Sequence, residues 1–178
     1  ELGSANVELA SSEISRADVL LLQGEVGVEA ARTAAVLAAA ASTKVVFNPA
    51  PFNEVVPAVL PLADVVIVNR REAEQLGDVQ VPVLITTLGA RGCEVKVGSD
   101  ITTIEAPKVE VADPTGAGDA FVGAFSVAYV DTEDAVAAAL IAVRAGAAAV
   151  RGVGAQPSMP TWEPVSYTHL TLPTSYAV

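Results

Sequence analysis

Cysteine is all but missing from this chain. Cys93 stands alone, which rules out an internal disulfide framework and fits a reducing, cytoplasmic setting. Its neighbours, the strand-like "GCEVKV", mark it as a small buried residue. Positive charge is also scarce: ten Lys plus Arg against 21 Asp plus Glu give a formal net charge of −11. That is the wrong sign for a surface that tracks phosphates, and it argues against a nucleic-acid partner. Uninterrupted apolar runs are lacking as well. The Ala-rich stretches 28–42 and 133–150 are broken by Glu29 and Arg32, and by Glu133, Asp134 and Arg144, so neither reads as a membrane span. No leader is visible, but the chain opens "ELGSANVEL" without a Met and is expected to be cut at its front, so that absence excludes nothing. Finally, no G-x-x-x-x-G-K-[ST] occurs, which removes a Walker-type phosphate loop.

What is present is apolar and periodic. At 178 residues and 52% hydrophobic composition the chain suits one domain with an ample core. "ADVLLLQ" (17–23), "KVVFN" (44–48) and "DVVIVN" (64–69) predict buried strands, the second closed by Pro49 and Pro51. Between them, 28–42 predicts a helix with Glu29, Arg32 and Thr33 on its polar face, and 71–77 a short helix ending at Gly77. This β-α-β rhythm predicts a parallel sheet covered by helices. "VPVLITT", "GCEVKV" and "ITTIEA", with turns at Gly89, Gly92 and Gly98, should add antiparallel members, followed by helices near 116–130 and 133–149. Neither an internal repeat nor a linker splits the chain.

The last stretch differs. Residues 165–178, "VSYTHLTLPTSYAV", carry no charged residue but hold two of the three tyrosines and the only histidine, His169. "VSYTHLTLPT" matches a translation of a transposase adapter used in sequencing libraries. We therefore expect 165–178 to be non-native, set it apart from the domain of residues 1–164, and give His169 no chemical role.

In parallel sheets the ligand crevice lies beyond the carboxyl ends of the strands, so the polar residues there are the candidates: Gln23 and Glu25, Asn48, Asn69 and Glu72, Thr87 to Gly92, and Asp113 to Asp119. In "VEVADPTGAGDAFVGAF" (109–125), Gly116, Ala117 and Gly118 let a backbone approach a ligand closely at a helix start, where free N–H groups suit an anion. Asp119 would repel that anion. The conflict resolves if the acid works on a proton beside a phosphate. Two other readings stand beside this one. A first-turn acid can simply complement the helix dipole. "GAGDAF" also holds G-x-G, but a dinucleotide-binding oxidoreductase domain would need a third Gly and an earlier place in the chain.

"DPTGAGDAFVGAF" resembles the C-terminal signature of the ribokinase family, the phosphofructokinase-B type carbohydrate kinases, whose usual form is D-T-T-G-A-G-D-x-F-x-G; Pro114 replaces a Thr. "NRREAEQL", "TLGARG" and "GAQPSMP" resemble further segments of that family in order, and "LLLQGEV" and "FNPAP" are similar to ribokinases proper, over residues 3–162. The resemblance implies a ribokinase-like α/β fold, a Rossmann-type layered sheet with helices on both faces, with the N-terminal part missing. It implies an ATP-dependent kinase acting on a sugar hydroxyl, ribose going to ribose 5-phosphate, with another sugar or a nucleoside as the alternative.

The residue roles it implies are specific. Gly116, Ala117 and Gly118 would form the anion hole and Asp119 the general base. Glu25 would bind sugar hydroxyls. Asn69 and Glu72 would hold Mg²⁺ through water, and Asn69, Thr87, Gly89, Gly92 and Gly118 would border ATP. Asp113, Thr115, Ala149, Gly152, Gly154 and Ser158 would supply oxygens to K⁺ or a similar monovalent cation. The adenine contacts are left open, because relatives carry Asn or His where this chain has Val143. The complete protein is expected to be a cytoplasmic homodimer. Most sugar contacts belong to the missing part, so the chain as it stands is expected to be an inactive fragment.

Overall fold

The computed structural model describes residues 2–161, and the expected non-native tail, 165–178, lies outside the described residues. Among the described residues six strands form one sheet in sequential order: β1 (Val19–Gln23), β2 (Lys44–Asn48), β3 (Val65–Asn69), β4 (Val83–Thr87), β5 (Cys93–Val97) and β6 (Asp100–Ile104). The first four are parallel and the last two antiparallel, as the sequence pattern predicts.

Apolar runs such as "VVF" and "VVIV" alternate between two separate cores because successive side chains of a strand point to opposite faces. Val45, Phe47, Val66 and Val68 pack on one side with Ala30, Ala31, Ala34, Ala35 and Ala38 of α3 (Val28–Ala40). Glu29 and Arg32 of that helix stay exposed on its outer face, as expected. The same layer holds α1 (Ser4–Leu9), α2 (Ser11–Arg16), α4 (Val56–Val59) and α5 (Arg70–Leu76). On the other side Val46, Val65, Ile67, Ile85 and Val95 pack with Phe121, Val122 and Phe125 of α6 (Ala117–Thr132) and Ala138, Ala139, Ala142 and Val143 of α7 (Ala135–Ala149). Helices therefore cover both faces, and Val143 is core.

Cys93 is fully buried in this second core, and its thiol is pushed up to about 12, first by burial and then by Glu94. The lone cysteine is thus the small buried residue that its neighbours predict. No helix among the described residues is long and apolar enough to cross a membrane.

Three local differences from the sequence pattern have clear causes. The helix predicted over 28–42 stops at Ala40 because the chain turns, with Ser42 in the left-handed region at φ 62°. The last two helices part at Glu133, φ 53°, where Asp134 caps α7 by accepting from the N–H groups of Val136 (2.8 Å) and Ala137 (3.1 Å). The helices α1 and α2 escape the sequence pattern because only Val7 is buried in them, with Ile14 partly so.

Candidate active site

Register places the polar ends of the strands side by side. Gln23 of β1 faces Asn48 of β2, and Asn69 of β3 faces Thr87 of β4. They form the carboxyl edge of the parallel sheet, and the start of α6 comes down beside it.

That start is shaped by one carboxylate. Oδ1 of Asp113 accepts the N–H of Thr115 at 2.9 Å and its hydroxyl at 2.6 Å, while Oδ2 accepts the N–H of Gly154 at 2.9 Å. These donors hold the Asp113 carboxyl below the usual carboxylate range, the Thr115 hydroxyl contributing most. The N–H groups of Ala112 and Asp113 donate to the Val150 carbonyl at 2.8 and 3.2 Å, directly after Ala149. Pro114 spans this turn without loss, since both flanking N–H groups are the ones in use. The Ser158 hydroxyl donates to the Gly154 carbonyl, and Gly152 packs on Ser158. Of the six residues expected around a monovalent cation, Asp113 and Thr115 precede α6, Ala149 ends α7, and Gly152, Gly154 and Ser158 follow it, with the two segments tied together. Asp113 already accepts three hydrogen bonds, which leaves about one of a carboxylate's four lone-pair positions for an ion.

From this platform Gly116 enters α6 with φ 82°, a conformation that suits glycine. The Ala117 N–H turns back to the Pro114 carbonyl at 3.3 Å, so it is partly engaged. Gly118 and Asp119 occupy first-turn positions whose N–H groups have no helical acceptor. The Asp119 carboxylate is exposed on the same turn, and Gln23 Nε2 reaches its Oδ1 at 3.4 Å. Asp119 also opens a groove of about 240 Å³ that runs along α6 past Gly123 and Ala124 to Val127, with Met159 at its wall.

Glu25 is exposed on the turn after β1, next in line to this contact. Its position rests on Gly24, which is buried: the Gly24 N–H donates to the Ala50 carbonyl at 3.1 Å, and Asn53 Nδ2 donates to the Gly24 carbonyl at 2.6 Å. Sequence reasoning missed this clamp and the Gln23 contact alike.

The expected Mg²⁺ pair is a reciprocal cap. Asn69 Oδ1 accepts the Glu72 N–H at 2.9 Å and Glu72 Oε2 accepts the Asn69 N–H at 2.8 Å, which fixes both side chains at the start of α5. One oxygen of Glu72 is outside the cap. Among the described residues no group of three or more His, Cys, Asp or Glu is placed to hold a metal. A single carboxylate acting with water and phosphate oxygens is nonetheless a familiar way of holding Mg²⁺. Thr87 ends β4 and the 3-10 turn Gly89–Arg91 leads on to β5; the Thr87 hydroxyl donates to the Val68 carbonyl at 3.3 Å. Gly92 is required by packing, because a Cβ there would sit 1.8 Å from the Ile104 carbonyl oxygen.

Residues 2–162 match the pfkB family carbohydrate kinase family. A ribokinase of Staphylococcus aureus (strain COL) is 31% identical over 176 residues, 88% of this chain and 58% of that protein. Among solved structures, ribokinase from Thermotoga maritima is similar with a TM-score of 0.81 at 27% identity, covering 92% of this chain and 60% of that one. Arabidopsis thaliana ribokinase complexed with ribose and ATP shares the fold, with a TM-score of 0.78 at 22% identity over 89% of this chain and 57% of that one. The chain thus spans a little over half the length of these relatives.

The clamp under Glu25 makes a prediction. A Cβ on Gly24 would lie 2.1 Å from the Pro51 carbonyl oxygen, backbone that cannot step aside cheaply. Gly24→Ala in the full-length protein should lose about 1–3 kcal/mol of stability in denaturant unfolding. An unchanged midpoint would show that the two loops are not packed this way.

Proposed function

Because the chain belongs to the pfkB family of carbohydrate kinases, we propose that it forms the catalytic portion of an ATP-dependent sugar kinase, with ribose as the sugar and ribose 5-phosphate as the product. The observation that carries this reading is the exposed Asp119 carboxylate on the same helical turn as the Gly118 amide, at the carboxyl edge of the sheet. The ribokinases among its relatives and the placement of Glu25 beside that edge support ribose.

Transfer of a phosphoryl group requires a positioned hydroxyl, a sink for its proton and stabilisation of the moving charge. Asp119 takes the proton of the sugar hydroxyl as its oxygen bonds to the γ-phosphorus of ATP; the bond from that phosphorus to the β–γ bridging oxygen breaks, and ADP leaves. The amides at the start of α6, Gly118 foremost, stabilise the γ-phosphoryl oxygens. Glu25 orients the sugar. Thr87 and Gly89 border the nucleotide. Asn69 and Glu72 would hold Mg²⁺, which supplies positive charge to the phosphate oxygens. Asp113, Thr115, Ala149, Gly152, Gly154 and Ser158 would hold K⁺, whose charge would add to the ties that keep the anion hole aimed.

Two outcomes are expected of the full-length enzyme. Asp119→Asn keeps shape but cannot take the proton, so kcat should fall by at least ~10²–10⁴-fold with the KM for ATP little changed. Turnover within a few-fold of the parent would remove Asp119 from the chemistry. Replacing KCl by a bulky organic cation at equal ionic strength should lower the rate. Equal rates in the two salts would mean that the tie between Asp113 and Gly154 serves without an ion.

A further inference from the structure

The side chain of Gln23 lies between two acceptors at the carboxyl edge of the sheet. Its Nε2 is 3.4 Å from Asn48 Oδ1 and 3.4 Å from Asp119 Oδ1. Asn48 in turn donates through Nδ2 to the Ile67 carbonyl at 2.8 Å. We propose that Gln23, oriented by Asn48, is a positioning residue for Asp119, holding one carboxylate oxygen so that the other faces the hydroxyl to be deprotonated. This rests on the reading of Asp119 as the general base.

The direction of the chain follows from its far end. A backbone carbonyl can only accept, so Asn48 must turn its amide nitrogen to Ile67 and its oxygen to Gln23. An oxygen facing Gln23 requires the Gln23 nitrogen on that side. The NH₂ group has two hydrogens, and the second points at Asp119 Oδ1. With the opposite orientation, the Gln23 carbonyl would confront both the Asn48 oxygen and a carboxylate. One unambiguous acceptor on β3 therefore fixes the polarity of an amide on β1, two strands away, and makes it a donor to the acid on α6.

The geometry suits guidance of the carboxylate. Both contacts, at 3.4 Å, are longer than the usual N–H···O bond of about 2.7–3.2 Å, so each is weak before substrate binds. Hydrogen bonds to a catalytic base are often long before substrate binds and tighten in the reacting complex. Asp119 is exposed, and without this contact its carboxylate could rotate between equivalent orientations of its two oxygens. The backbone register of β1 on β2 already joins these strands, so the fold does not need the side chain for pairing.

The test uses the full-length enzyme and two near-isosteric variants. Gln23→Met removes the amide, and Gln23→Glu replaces the donor with a second carboxylate. The expected result is a fall in kcat of roughly 10-fold for Met and more for Glu, with KM values for ATP and ribose within about twofold of the parent. In the Asp119→Asn background Gln23→Met should cause no further loss, since a residue acting only through Asp119 has nothing left to position. Full turnover by Gln23→Met while Asp119→Asn is inactive would overturn the positioning role and leave the base intact. An active Asp119→Asn enzyme would instead remove the base, and the proposal with it. Equal losses in both backgrounds, a rise in KM at constant kcat, or melting temperatures lowered by more than ~10 °C in both variants would make Gln23 a substrate contact or a structural residue and overturn the proposal.

Discussion

Asp113 ties the loop before α6 to the loop after α7, and the geometry of the turn from Gly116 to Asp119 depends on that tie. Its two oxygens accept from Thr115 on one side and Gly154 on the other. If the carboxylate were absent, the Thr115 and Gly154 donors would need other partners and Gly116 would lose the platform from which it enters the helix. Because these bonds lower the Asp113 pKa, their contribution is present above the ordinary carboxylate range and is lost as pH falls through the lowered value. At neutral pH the tie is complete. In the proposed reaction, aimed N–H groups stabilise developing charge only if they are held before the charge appears, and Asp113 would provide this from within the chain.

The rest of the fold brings a second group of residues to the same turn. Parallel pairing of β1 to β4 aligns their carboxyl ends, and the two cores fix the sheet between α3 on one face and α6 with α7 on the other. Small residues on the helices let them pack closely: Gly146 of α7 lies against the start of α6, where a Cβ would be 3.3 Å from the Ala117 carbonyl oxygen. The acid on α6 and the amide on β1 meet as a result. An acidic residue beside the proposed anion site would oppose binding, and the proposed function gives it a part there, handling the proton released by the hydroxyl that attacks the phosphate.

Much of this was legible in the sequence. "KVVFN" matches its strand to the residue, Lys44–Asn48, because an apolar run buried on both faces is closed by Pro49 and Pro51. The polar face of α3 follows from Glu29 and Arg32 at helical spacing. The small-residue turn with its acid is visible in "PTGAGDAF" because each requirement there selects a residue type. Other features depend on contacts between distant segments. Gln23 and Asp119 are 96 residues apart, and nothing local to either shows the pairing. The Gly24 clamp needs the loop at Pro51 and Asn53. Asn69 and Glu72 carry two readings in one pattern, cap and metal site, and the geometry realises the cap while leaving one carboxylate oxygen outside it.

In the proposed function this turn transfers a phosphoryl group to a sugar and not to water. The most direct measurement is phosphorus NMR of the full-length protein with ATP, Mg²⁺ and ribose, following all phosphorus species to completion. The proposed function requires one sugar phosphate ester for each ADP formed. ADP accompanied only by inorganic phosphate, or no consumption of ATP with any pentose, would contradict it.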